Sequence, residues 1–371
     1  MSSQRKYRIL ALDGGGIRGV IAARIIQEIE KEIHQPFNQY FDMIVGTSTG
    51  SILAAGLAIG LSPATIIQIY RQEGRRIFNS SWFKKNISHW LKQPKYSNEG
   101  LISVLKEYLR HDQFGEIEFG QIPQISRAKL LILAYDLFYR NTTFFISHLP
   151  ESQKRWFNDV KLWEICVCSA SAPTFFPPYE LKWQDEERGE EWKFPHVDGG
   201  VAANNPSLAA LSHVVGAEKQ ELKDVAILSV GTGKTTEPLQ YEEVKNWGTV
   251  KWGEQIANVF MGSQFQISSD ICRQILISAN PNGYLRLQFP LNETVKRNTE
   301  FSASKYLAKK QQVNVYNGQK ISEQMDDASE RNIDQLLEAT ESFLRSENYM
   351  QVDGKHLSVK EAISKFIQDN A

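Results

Sequence analysis

Phe41-Asp42-Met43-Ile44-Val45-Gly46-Thr47-Ser48-Thr49-Gly50 runs an apolar stretch into a serine with a glycine two residues to either side. Glycines at those positions let a strand turn sharply into a helix and remove side chains that would bury the hydroxyl. The stretch reads as a nucleophile elbow, with Gly46 and Gly50 supporting the turn and Ser48 exposed at a helix N-terminus. Free backbone N–H groups and the positive end of the helix dipole favour negative charge there. The same residues also fit a tight turn with a capping serine, so the choice rests on the rest of the chain.

Upstream, Tyr7-Arg8-Ile9-Leu10-Ala11-Leu12 reads as a buried strand entering Asp13-Gly14-Gly15-Gly16-Ile17-Arg18-Gly19. Ile21, Ile25, Ile29 and Ile33 then repeat every four positions, as on one helix face. The order is strand, glycine loop, helix, strand, serine turn, helix. Successive β-α turns of a parallel sheet open on the same edge, so the glycine loop is expected to face Ser48. The amides of Gly14, Gly15 and Gly16 are candidates to hold an oxyanion, with Arg18 adding positive charge beside them. Gly14-x-Gly16-x-x-Gly19 also fits a dinucleotide-binding fingerprint. Against it, the region about 20 residues on holds the helix end Lys31-Glu32-Ile33-His34 and Gln35-Pro36, not a strand ending in an acid. Gly231-Thr232-Gly233-Lys234-Thr235 fails as a phosphate loop because Leu228 stands where another glycine is needed.

A proton acceptor for Ser48 is found in Pro195-His196-Val197-Asp198-Gly199-Gly200-Val201, which follows an acidic stretch, 185–191, read as looped. An Asp-Gly pair is ordinarily a hairpin turn. Downstream, Asn204-Asn205-Pro206 reads as a turn or helix start and not as a returning strand, which weakens that alternative.

Taken in order, D-G-G-G-x-R-G, G-T-S-T-G and D-G-G resemble the patatin-like phospholipase family. The likeness continues in Ser169-Ala170-Ser171-Ala172-Pro173-Thr174-Phe175-Phe176-Pro177-Pro178, in Leu228-Ser229-Val230-Gly231-Thr232-Gly233 and in Asp326-Asp327-Ala328-Ser329-Glu330, and so covers nearly the whole chain. The resemblance implies that Ser48 is the nucleophile and Asp198 its partner in a Ser-Asp dyad, supported by Gly199 and Gly200. It also implies that Gly14, Gly15, Gly16 and Arg18 form the oxyanion region. The implied activity is a lipid acyl hydrolase of phospholipase A or esterase type, working through an acyl-serine on a phospholipid or other acyl lipid. No cofactor is implied. Some bacterial patatin-like proteins that resemble this chain are switched on by cyclic nucleotides in phage defence, so a nucleotide activator is the alternative. A non-catalytic binding module or a dinucleotide enzyme is the third. Ser51 stands where many relatives carry glycine, with no effect expected on the chemistry.

An ordinary Asp has a pKa of about 3.9, so Asp198 works as a base near neutral pH only if burial raises that value. Histidine is the competing base. His213 and His356 follow Asp198 in the chain order of a Ser-Asp-His triad, but neither has glycine-rich, loop-tip surroundings. His196 shares a face with Asp198 only if the strand continues.

The composition agrees with a soluble α/β enzyme: 371 residues, 42% hydrophobic, formal net charge −1. That charge gives no reason to expect nucleic-acid binding. Cys166, Cys168 and Cys272 make no disulfide framework, and no cluster has metal-ligand spacing, so no metal is expected. The first residues show no signal-peptide core and no stretch approaches a membrane span, so a cytoplasmic location is expected. Ser62-Pro63 should start a helix running to about Arg76. Segments 129–134 and 225–230 read as buried parallel strands, 284–289 as a later strand and the tail as helical, with Ser358 and Glu361 forming a capping box. The expected architecture is a three-layer α/β/α sandwich with a mainly parallel central sheet. Residues 1–320 form the catalytic domain, and 321–371 a helical subregion packed on it. Between Gly74 and Asn98, six basic residues and no acid interleave with aromatics. Trp82, Lys84, Lys85 and Trp90 are there candidates for contact with the inner membrane face or the substrate. Buried aromatics under solvated lysines are the alternative, and Phe175-Phe176 is read either as acyl-pocket lining or as core.

Overall fold

The computed structural model describes residues 5–79, 93–236, 239–292, 320–352 and 355–371. Its central sheet contains β1 (Tyr7–Leu12), β2 (Met43–Thr47), β3 (Lys129–Asp136), β4 (Asn141–Ile146), β5 (Tyr179–Asp185), β6 (Glu190–Asp198), β7 (Val225–Val230) and β8 (Tyr284–Leu287). The run β8-β7-β1-β2-β3 is parallel throughout. Beyond it, β4 and β6 pair antiparallel with β3, and β5 pairs with β6 at the margin.

The parallel strands are near-continuous aliphatic runs because helices cover both of their faces. The main helices are α1 (Gly19–Ile33), α2 (Thr49–Ala58), α3 (Pro63–Ile77), α4 (Glu99–Tyr108), α5 (Leu162–Ala170), the single turn α6 (Gly200–Ala203), α7 (Ser207–Gly216), α8 (Thr249–Ile277), α9 (Glu330–Leu344) and α10 (Val359–Asp369). On one face, Leu10, Ile44 and Ile132 pack with Ile25 of α1, Leu53 of α2, Ile165 of α5 and Leu336 of α9. On the other, Ile9, Met43, Val45 and Leu131 pack with Leu211 and Val214 of α7 and Cys272 and Leu276 of α8. Successive strand residues alternate between these cores, as the two-residue period of a strand requires. The result is the expected three-layer sandwich. Ser62 Oγ accepts the Thr65 N–H at 3.1 Å and Pro63 opens α3, while Ser358 and Glu361 form the capping box of α10.

The acidic stretch 185–191 departs from expectation. Only 186–189 form a turn; Asp185 ends β5 and Glu190 begins β6, with Trp183 opposite Trp192. The hairpin is exposed on one face, so its charged residues alternate with buried Leu181 and Phe194 and half-buried Trp183 and Trp192 and mask the strand pattern.

One feature of register places the site. β2 pairs Met43–Thr47 with Lys129–Leu133, and β6 pairs His196–Asp198 with Asp136–Ala134, while β4 occupies the opposite edge of β3. β2 and β6 therefore run head to head along one edge of β3. Thr47 sits opposite Leu133 and Asp198 opposite Ala134, so the residue after β2 and the last residue of β6 converge.

Candidate active site

That residue after β2 is Ser48, which bridges β2 and α2 with φ 55° and ψ −128°. A non-glycine residue at positive φ is strained and persists only where its surroundings fix it. A Cβ on Gly46 would lie 2.1 Å from the Gly50 carbonyl oxygen, and one on Gly50 2.2 Å from that of Leu12, so both elbow glycines are required by backbone approach. The Ser48 N–H donates to Ser169 Oγ at 2.9 Å, and that hydroxyl donates to the Leu133 carbonyl at 2.6 Å. Ser51 Oγ donates to the Ser48 carbonyl at 2.6 Å. The expectation of an exposed Ser48 is corrected: it is only 6% exposed.

Asp198 is the last residue of β6 and is 1% exposed. Its N–H donates to the Ser171 carbonyl at 3.0 Å, and the Gly199 N–H to the Ser169 carbonyl at 3.2 Å. The Ser169–Ser171 segment thus holds both the serine and the acid. Asp198 Oδ1 accepts the Gly200 N–H at 2.7 Å, while Oδ2 has no hydrogen-bond partner among the described residues. Burial pushes the carboxyl up to about 7, against the smaller opposing pull of the Ser48 hydroxyl and the Gly200 amide. Such a group can take or release a proton near neutral pH.

The glycine loop approaches from β1. Gly14 already donates its N–H to the Asn204 carbonyl at 3.0 Å, and its carbonyl accepts Thr232 Oγ1 at 2.7 Å. Gly14 is therefore corrected as an oxyanion donor, since its N–H is committed. Among the described residues, the N–H groups of Gly15 and Gly16 have no acceptor. Gly16 has φ 59°, and a Cβ there would lie 2.1 Å from the Met325 carbonyl oxygen. Arg18, expected to add charge beside these amides, is 1% exposed and bonds the carbonyls of Gly15 at 3.5 Å and Glu323 at 3.4 Å. It braces the loop against the segment before α9, and burial holds its guanidinium down to about 10. At the loop's base, Arg286 Nη1 donates to Asp13 Oδ1 at 2.9 Å and to Ser229 Oγ at 2.7 Å.

No histidine bonds Ser48 or Asp198 among the described residues. His196 lies on β6 and is buried, with Nδ1 at 2.8 Å from the Phe194 carbonyl and Nε2 at 3.2 Å from Thr143 Oγ1. His213 Nε2 lies 3.4 Å from Glu218. His356 sits in a short hairpin opposite Gln351. Trp82, Lys84, Lys85 and Trp90 lie outside the described residues. In the flanks, Arg75 pairs with Glu330, Arg76 with Glu73 and Glu107, and Lys95 with Asp326. Phe78, Tyr96 and Phe176 form a ring cluster with centroids 5.5–5.9 Å apart, so Phe176 belongs to an aromatic core. Among the described residues, no group of three His, Cys, Asp or Glu side chains converges on a metal position, and no helix is long and apolar enough to cross a membrane.

Fold and site together define an α/β protein with a serine elbow, a glycine loop and an Asp-Gly-Gly turn gathered at one sheet edge. The family model described as "Patatin-like phospholipase" matches residues 10–211, more than half of the chain, and the chain belongs to that family. It is 28% identical to Patatin-T5 of Solanum tuberosum over 367 residues, covering 91% of this chain and 83% of that one. It is also 28% identical to "Probable inactive patatin-3-Kuras 1" of the same plant over 309 residues, 76% of this chain and 78% of the other. Membership alone therefore does not establish activity; the site residues must. VipD from Legionella pneumophila covers 91% of this chain and 67% of its own at 13% identity and TM-score 0.39, a likeness too loose to bear on activity.

Sequence reasoning gave no role to Ser169, Asn204 or Thr232. Ser169 and Thr232 stood in quoted family-like stretches, and each is a hydroxyl residue against a glycine-loop or elbow backbone. Asn204 stood in Asn204-Asn205-Pro206, read as a turn or helix start.

Proposed function

We propose that this chain is a lipid acyl hydrolase of phospholipase A or esterase type, with Ser48 as nucleophile and Asp198 as its general base. The head-to-head meeting of β2 and β6 beside β3 is the observation that carries the reading: it brings a strained serine to a buried acid that titrates near neutral pH. Ser48 Oγ attacks the ester carbonyl carbon as its proton passes to Asp198. The amides of Gly15 and Gly16, with the first amides of α2, receive the developing oxyanion. Collapse expels the alcohol, which takes the proton from Asp198 and leaves an acyl-serine. Water then attacks, giving its proton to Asp198, and the carboxylic acid departs as Ser48 Oγ is reprotonated. The substrate is a phospholipid or other acyl lipid, met by peripheral contact with a membrane. A cyclic-nucleotide switch, the alternative raised by resemblance, leaves the same acyl transfer in place and is tested by adding nucleotide to the assay.

Hydrolysis of a short nitrophenyl ester and of phospholipid vesicles by parent and Ser48→Ala tests the reading. The parent should turn over both, and Ser48→Ala should fold normally and turn over neither. Retained hydrolysis in Ser48→Ala would contradict it.

A further inference from the structure

Around the site, three buried polar atoms have no partner among the described residues: Asp198 Oδ2 and both ends of the Asn204 side-chain amide. An unpaired buried donor or acceptor carries its full desolvation penalty, so a native protein that keeps several in one place calls for an explanation. Asn204 is fully buried and pinned at its backbone, where its carbonyl accepts the Gly14 N–H at 3.0 Å and its N–H donates to Gln264 Oε1 at 2.8 Å. Its side chain lies between the two glycine motifs. A Cβ built on Gly14 would meet Asn204 Oδ1 at 2.0 Å and Ser48 Cβ at 3.0 Å. One built on Gly200 would meet Asn204 Oδ1 at 2.9 Å and Asp198 Oδ1 at 3.0 Å. The amide is thus a neighbour of Ser48 across Gly14 and of Asp198 across Gly200. A flip of the amide exchanges its oxygen and nitrogen, and the end that lies by Gly14 and Gly200 then becomes a donor beside the acid.

We propose that Asn204 is a positioning residue for acyl transfer: its side-chain N–H closes onto the free Oδ2 of Asp198 in the substrate complex and holds the carboxylate turned towards Ser48. This rests on the hydrolase reading above. Catalytic hydrogen bonds are often open in the free enzyme and tighten when substrate binds. A carboxylate has about four lone-pair sites, so Oδ2 takes the amide and still receives the Ser48 proton. A donor to the ionised form favours that form, so Asn204 keeps Asp198 competent as a base at lower pH than burial alone allows. The charged and titratable groups on surrounding elements are Asp13, Arg18 and Arg286 at the glycine loop, Asp136 and His196 on β3 and β6, Glu164, Cys166 and Cys168 on α5, and Asp270 and Arg273 on α8. None of them is among the influences on Asp198, which are burial, the Ser48 hydroxyl and the Gly200 amide.

Asn204→Leu tests the proposal, because leucine keeps the shape and removes both polar ends. The variant should melt no lower than the parent, since it relieves two unmet buried groups. Its kcat for a nitrophenyl ester should fall about tenfold below the acid limb, as the limb of the kcat profile, which reports the substrate complex, moves up by about one pH unit. The loss should sit in kcat more than in KM. Asn204→Met, which likewise removes both polar ends without adding charge, should move the limb as far and serves as the test if the leucine variant does not fold. An acid limb that stays in place in the folded variant, whether or not the rate falls, overturns the proposal and leaves Asn204 as packing. Ser48→Ala in the same assay separates the two readings: turnover there sinks the hydrolase itself, whereas a dead Ser48→Ala beside a parental Asn204→Leu sinks only this inference.

Discussion

Asp198 and Glu218 lie at opposite ends of one strand, and their contrast explains how an acid becomes a base. Asp198 faces Ala134 near the carboxyl end of β3. Glu218 pairs at 2.7 Å with Lys129, the first residue of that strand, roughly 17 Å away at 3.3 Å per residue. Burial alone would raise both acids. At Glu218, Lys129 at 2.7 Å and the His213 ring at 3.4 Å overcome it and hold the carboxyl down to about 2. At Asp198, only neutral groups oppose burial, and the carboxyl stays up at about 7. The chain thus keeps cations away from the acid beside its serine and gives Lys129 to the acid at the far end. The histidine that sequence order offers as a triad base, His213, is part of the far-end cluster.

The largest effects should fall on the near end. Asp198→Asn should slow acylation by at least about 10²-fold in burst kinetics with an activated ester, whereas Glu218→Gln should stay within roughly tenfold of the parent. Equal losses would erase the contrast. Ser169→Ala, which removes two hydrogen bonds and leaves the Ser48 N–H and the Leu133 carbonyl unmet, should cost roughly tenfold in kcat and lower the melting temperature.

Stability should move in opposite directions at the two ends. The folded pKa of Asp198 lies above its unfolded value of about 3.9, so the native state binds the extra proton and stability falls as pH rises from about 4 to about 7. Asp198→Asn should therefore melt higher than the parent above about pH 7, with the gain vanishing near pH 4. The folded pKa of Glu218 lies below its unfolded value, so its contribution is present above about pH 4.5 and lost as pH falls towards about 2. Glu218→Gln should melt lower than the parent at neutral pH, with the difference disappearing in acid. Thermal melts across pH check both, and matching signs would contradict the account. Smallest of all, His213→Ala should leave ester hydrolysis within roughly tenfold of the parent. A burst abolished by this substitution in a folded protein would reinstate a triad.

How legible each part was in the sequence follows the same division. The strands at 7–12, 129–134 and 225–230 were readable because burial on both faces leaves unbroken aliphatic runs, and α3 and α10 because Ser62-Pro63 and Ser358-Glu361 cap them locally. The β5–β6 hairpin was read in part as a loop because its exposed face carries the acids. Ser48, Gly46, Gly50 and Asp198 were visible through glycines that backbone contact demands. What the residues alone did not show was that β6 meets β2 end to end on β3, since that depends on where two segments far apart in the chain each pair with a third. For the same reason Ser169, Asn204 and Thr232 had no role until the fold brought them to the glycine loop and elbow, and Gly14 passed for a free donor until Asn204 was seen to occupy its N–H.

The central claim, that Asp198 is the base acting on Ser48, is tested most directly by the pH dependence of covalent labelling with a serine-reactive fluorophosphonate, the adduct located by peptide mass. The account predicts an adduct on Ser48 whose rate of formation rises through about pH 7 as Asp198 ionises and is nearly lost in Asp198→Asn. An adduct elsewhere, or a Ser48 labelling rate that is flat from about pH 5 to about pH 9 and unchanged in Asp198→Asn, would contradict it.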